Sequence, residues 1–122
     1  MHLAATIAVI IVAVIHIGFL FLEMVLWSRP AGRRIFGLSP ELAASSAKLA
    51  ANQGLYNGFL AAGLLWGALW TFAGDDAVRV QLFFLGCVIV AGVYGGVTTK
   101  RTILVYQALP GIVAAILVWL AR

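Results

Sequence analysis

The stretch MHLAATIAVIIVAVIHIGFLFL (residues 1–22) decides the fold class. It runs 22 residues without an Asp, Glu, Lys or Arg. As an α-helix it reaches about 33 Å, enough to cross a hydrocarbon core of about 30 Å. Three more charge-free runs follow, at residues 49–74, 80–99 and 102–121, of 26, 20 and 20 residues. Together the four hold 88 of the 122 residues. The whole chain is 64% hydrophobic and 10% charged. Soluble domains have about 45–50% apolar and about 25% charged residues. A chain of this size cannot hide that much apolar surface in one core. A secreted disulfide scaffold, a nucleic-acid-binding domain and a cytosolic enzyme are all excluded by this pattern.

Working outward, the reading predicts an all-α, four-helix transmembrane bundle, up-down-up-down, forming one integral membrane domain over residues 1–122. Its helices are expected over residues 3–27, 40–72, 78–99 and 102–121. The first ends at Trp27, Ser28, Arg29 and Pro30, and residues 28–38 read as the longest loop, broken by Pro30, Gly32 and Gly37. Ser39, Pro40 and Glu41 read as N-cap, N1 and N2 of the second helix. Residues 73–77, with Asp75 and Asp76, read as a short turn, and Lys100–Arg101 as a tighter one. Pro110 is expected to kink the last helix. Short connections imply antiparallel neighbours. Gly54/Gly58/Ala62, Gly63/Gly67 and Gly92/Gly96 form small-residue ridges that let helices approach closely in lipid. The same ridges make a homo-oligomer possible.

The net charge is +4, but its distribution points to a bilayer rather than to nucleic acid. Arg29, Arg33, Arg34 and Lys48 lie between the first two helices, and Lys100 and Arg101 between the last two. Only Arg79 and Arg122 fall on the other side. Under the positive-inside rule both termini face away from the cytoplasm, in a multi-pass protein of the cell membrane (the inner membrane of a Gram-negative cell). The inner basic groups would meet membrane lipid. Trp66, Trp70 and Trp119 then fall near the outer interface and Trp27 near the inner one. The N-terminus lacks the basic segment of a signal peptide, and its apolar run is too long for one. Cys87, the single cysteine, reads as a packed thiol. No residues show metal-ligand spacing. Haem on His16 would lack a second ligand and an attachment motif, so no cofactor is expected.

Polar groups are costly in hydrocarbon, and here they gather at one level. His16 lies mid-helix in the first span and Glu23 nearer its inner end. Asn52, Gln53, Tyr56 and Asn57 open the second span, Tyr94, Thr98 and Thr99 close the third, and Tyr106 and Gln107 open the fourth. The outer halves hold only Thr6 and Gln81 as comparable groups. This implies a polar pocket or network in the cytoplasmic half. His16 and Glu23 are seven residues apart, on one face and about 10 Å apart along the axis. Glu23 and His16 are the candidate acid–base pair; Asn52, Gln53, Tyr56, Asn57, Tyr94, Thr98 and Gln107 are the candidate ligand-binding groups. Each has a plainer alternative. Glu23 would also reach Arg29, Arg33 or Lys100, and the amides would also glue helices together.

Glu23-Met24 with Trp27, the run LAANQGLYNGFLAAGLLWG (residues 49–67), AGVYGGVT (residues 91–98), and Gln107 with Pro110 resemble a family of small integral membrane proteins. That family is catalogued as domain of unknown function 1304. The resemblance covers nearly the whole chain. It implies a four-helix membrane protein with these polar residues as its signature, and it supplies no activity.

Three functions fit. The first is a pocket that binds a small amphiphilic or lipidic molecule and transforms it by acid–base chemistry, such as isomerisation. The second is a proton-coupled transporter, since small multidrug exporters are also four-helix chains with a glutamate in the first helix. Their dual insertion sits poorly with a six-to-two Lys/Arg bias. The third is a structural or assembly subunit whose polar cluster only locks the helices.

Overall fold

The computed structural model describes residues 1–70 and 74–122. The expected end of the second helix at residue 72 and the start of the 73–77 turn lie outside the described residues. The described chain is all-helical and has five α-helices rather than four: α1 His2–Phe21, α2 Pro30–Phe36, α3 Pro40–Leu69, α4 Asp75–Thr98 and α5 Leu109–Ala121. Two π-turns, Leu22–Leu26 and Leu104–Ala108, continue α1 and precede α5.

The extra helix, α2, forms where the breakers suggested a loop. Pro30 stands at its first turn, and Gly37 closes it in the left-handed region at φ 66°, where its N–H reaches Arg33 O. Proline at the start and glycine just past the end bracket a helix as well as they break one. Ser39 then caps α3 as expected, its Oγ accepting the Leu42 N–H at 3.1 Å. Asp75 and Asp76 are not a turn but the first turn of α4, where carboxylates favour the unpaired N–H groups of a helix start. Just before Pro110, where a kink is expected, the helix carries the π-turn Leu104–Ala108. Proline offers no N–H to the preceding turn, and the Leu109 N–H passes instead to Leu104 O, five residues back.

Among the described residues, three stretches are long and apolar enough to cross a membrane: His2–Leu26, Asp75–Thr98 and Leu104–Ala121. Over its described residues the 30-residue α3 is less apolar than these three. At about 45 Å it is long enough, but Asn52, Gln53, Tyr56 and Asn57 dilute its apolar run. The polar cluster and the fourth span compete for the same residues.

The described chain divides into two compact units. One holds residues 1–15 and 60–122. Its core is built of Val9, Val12 and Ala13 from α1, Leu64 from α3, Leu85 and Val88 from α4, and Ala114 and Val118 from α5. Small residues set the helix spacing. A Cβ on Gly92 would stand 2.6 Å from Ala108 N, and one on Gly111 3.1 Å from Val88 Cγ1. Gly96 lies against Leu104 and Gly63 against the Phe84 ring. Partner numbers fall on one helix as they rise on the other, so α4 and the segment after it run antiparallel, as do the end of α3 and the start of α4. Gln81 Nε2 donates to Gly67 O at 2.8 Å, pinning the latter pair.

The other unit holds residues 16–59. There the end of α1 and its π-turn lie along α3. A Cβ on Gly54 would meet Met24 Cγ at 2.7 Å and both Glu23 Cβ and Leu20 O at 3.1 Å. One on Gly58 would meet Leu20 Cδ1 at 2.7 Å. Below this contact Trp27 Nε1 donates to Ser46 Oγ at 3.0 Å, and the Trp27 ring packs on Phe36 with centroids 4.7 Å apart. Loss of the Trp27 bond in Ser46→Ala is expected to cost about 0.5–1.5 kcal/mol. Detergent melts of Ser46→Ala, Trp27→Phe and the double variant check this. Additive costs in that cycle would show that the bond contributes nothing.

Gly54, Gly63, Gly67, Gly92 and Gly96 each lie against a neighbouring segment of the same chain.

Candidate functional site

Glu23 stands on the π-turn Leu22–Leu26, inside a stretch long and apolar enough to span a bilayer. A π-turn carries one more residue than an α-turn and is often found at functional positions. The seat for it is Gly54: with no side chain there, α3 comes within van der Waals reach of Glu23 and Leu20. One turn along α3, Asn57 Nδ2 donates to Glu23 Oε2 at 3.0 Å and lies 3.3 Å from the Gln53 carbonyl oxygen. The bond is partly buried and joins residues 34 apart in sequence. Within its own unit Glu23 forms no ion pair with Arg29 or Arg33 among the described residues. The only ion pair among the described residues is Arg79–Asp76, exposed and 3.1 Å long, a class that contributes little.

The other expected site residues divide. His16 is fully buried, and its ring meets Phe19 edge-on at 5.5 Å. Asn52, Gln53 and Tyr56 lie on the outside of α3, with Tyr56 57% exposed. Tyr94, Thr98 and Gln107 belong to the other unit. Tyr94 is 71% exposed. Thr98 Oγ1 turns back to donate to Tyr94 O at 2.7 Å. Gln107 Nε2 donates to Val88 O across the α4–α5 contact at 3.4 Å. Among the nine, the structure brings Glu23 and Asn57 into side-chain contact.

Two recesses lie elsewhere. One of about 440 Å³ is lined by Ala62, Leu65, Trp66, Leu69 and Trp70. A smaller one of about 70 Å³ lies among His2, Thr6, Val78, Gln81 and Val118. No group of three or more His, Cys, Asp or Glu able to hold a metal occurs among the described residues. Gly54 was legible only as part of a packing ridge; its pairing with Glu23 was not, because nothing in the spacing says which helix the ridge meets.

A family model covers residues 10–119, the whole stretch from α1 into α5. The chain belongs to the DUF1304 family, described as a protein of unknown function. This DUF1304 chain is also similar to "Uncharacterized protein YpaA" of Lactococcus lactis subsp. lactis (strain IL1403). The two are 30% identical over 109 residues, 88% of this chain and 89% of that one. No solved structure matches. The family spans both units and every candidate residue named above, and it assigns none of them a role.

Proposed function

We propose that this DUF1304 chain is a multi-pass protein of the cell membrane, in which the 30-residue α3 crosses as a fourth, more polar span and both termini lie on the non-cytoplasmic side. In this reading it binds the polar end of a small amphiphilic or lipidic molecule at Glu23 and Asn57. Three span-length apolar stretches support the membrane reading, and the six-to-two Lys/Arg bias supports the orientation. The observation that carries the site is the bond from Asn57 Nδ2 to Glu23 Oε2. An ionisable group inside a span is functional by default, and this one is held by an amide rather than neutralised by a cation.

The donor set indicates the ligand chemistry. Asn57 spends its amide N–H on Glu23 and on the Gln53 carbonyl, which leaves the carboxylate and Asn57 Oδ1 as acceptors. They suit a headgroup that donates, a hydroxyl or an amine, with its apolar chain along the helices. A proton on that headgroup lies within reach of a carboxylate, the group that acid–base isomerisation requires. His16, on the same helix and buried, is the second titratable group of this reading.

The same bond also fits a plain interhelical lock, and one experiment separates the two. The full chain is purified in mild detergent and its bound small molecules are extracted and weighed by mass spectrometry. A retained amphiphile that falls at least tenfold in Glu23→Gln, with the melting temperature nearly unchanged, supports the site. No retained molecule, or equal retention in the variant, rejects it in favour of the lock.

A further inference from the structure

The segment after the first span carries a charge pattern that the Glu23 site does not use. Arg29, Arg33 and Arg34 lie on or beside α2, and residues 24–40 contain no Asp or Glu. None of the three arginines takes part in an ion pair among the described residues. Arg29 is the extended residue just before α2, and its carbonyl oxygen accepts the Arg33 N–H at 2.9 Å. Arg33 is half-buried, and its Nε is buried with no hydrogen-bond partner among the described residues. A buried N–H of this kind is costly until an acceptor reaches it.

The position of α2 is fixed. A Cβ on Gly32 would overlap the Leu26 carbonyl oxygen, so α2 lies flush against the end of the first apolar stretch. The Trp27–Phe36 ring contact, with centroids 4.7 Å apart, adds to the hold. The chain turns at once from Leu26 into α2, the Arg29 N–H donating to Leu26 O at 3.0 Å. The polar layer of each leaflet is about 5–8 Å deep. On the membrane reading, arginines this close to the end of the first apolar stretch fall at the level of the headgroups. Ile35 and Phe36 are exposed on the same short helix, and apolar groups beside basic ones suit a helix lying in the interface.

We infer that α2 is a binding surface for anionic phospholipid, with Arg33 as its central contact and Arg29 and Arg34 flanking it. The planar guanidinium fork matches a phosphate in a way a lysine does not. Exposed Ile35 and Phe36 favour a lipid over an acidic protein segment. This inference rests on the membrane reading but not on Glu23. Retention of the chain in carbonate-washed membranes tests the membrane reading separately.

The test uses the full chain in neutral detergent, offered equal amounts of phosphatidylglycerol and phosphatidylcholine, with bound lipids counted by native mass spectrometry. Phosphatidylglycerol is expected to be retained preferentially. Each arginine changed to glutamine should lower that preference about fivefold. Arg33→Lys should fall between wild type and Arg33→Gln. Arg79→Gln, at the start of α4, should change nothing. Equal retention of the two lipids by the wild type overturns the inference. So does an unchanged preference in Arg33→Gln or, where that variant does not fold, in Arg29→Gln/Arg34→Gln. Displacement of phosphatidylglycerol by soluble polyglutamate at equal charge overturns the lipid assignment in favour of a general anion surface.

Discussion

Gly92→Val is expected to prevent α4 from packing on the segment that follows it. Gly92 is buried, and a Cβ there would lie 2.6 Å from Ala108 N and 3.0 Å from Ala108 Cα. Those are backbone atoms and cannot rotate aside as a side-chain tip can. Even Gly92→Ala must push the helices apart, at about 1–3 kcal/mol of overpacking, offset by about 1 kcal/mol of helix propensity. The branched valine adds two methyl groups at the same contact and should exceed 3 kcal/mol. That is a large share of the stability of a chain this small. Gly86 is the control. Nothing approaches within 4 Å of its Cβ position, so Gly86→Ala should stabilise by about 0.5–1 kcal/mol. Unfolding of the three variants in mixed micelles checks the order. A Gly92→Val protein as stable as the wild type would show that the α4–α5 contact is looser than the structure has it.

The same glycines show what the sequence could and could not disclose. Helices were legible because charge-free runs of 20 residues leave few alternatives, and the Ser39 cap because its signal is local. Which face of each helix turns inward was not legible. Apolar residues surround α1, α4 and α5 on all sides, so no amphipathic stripe marks the buried face. The rotation of Tyr94 and Thr98 about α4 could not be read, and both turn outward. For Glu23 and Asn57 the rotation brings them together. The difference lies in Gly54, which admits α1, and in the π-turn, which shifts the register at Glu23. Both are consequences of contact between segments far apart in sequence. The short α2 was hidden for another reason: Pro30 and Gly37 were read as breakers, when their order, proline first and glycine last, frames a helix.

Asn57→Leu should destabilise the protein by about 1–3 kcal/mol, and Glu23→Leu/Asn57→Leu by much less than the sum of the two single changes. Asn57 supplies the hydrogen bond that Glu23 Oε2 receives, at 3.0 Å. Taking it away leaves a partly buried carboxyl without that donor, and an unmet polar group in such a place costs more than the bond itself is worth. Removing both partners replaces them with apolar surface, which an apolar setting accepts at little cost. The coupling energy from the cycle should lie near 1–2 kcal/mol, the range of hydrogen bonds between membrane helices. Additive costs would mean that the bond is not populated, and the proposed site would lose its scaffold. Coupling alone does not separate a lock from a binding site, so the amphiphile count must be read on the same proteins. A lock predicts a double variant as stable as the wild type and unchanged in everything it carries. A binding site predicts that the double variant regains stability and still comes through purification without its ligand, because no acceptor is left to hold the headgroup.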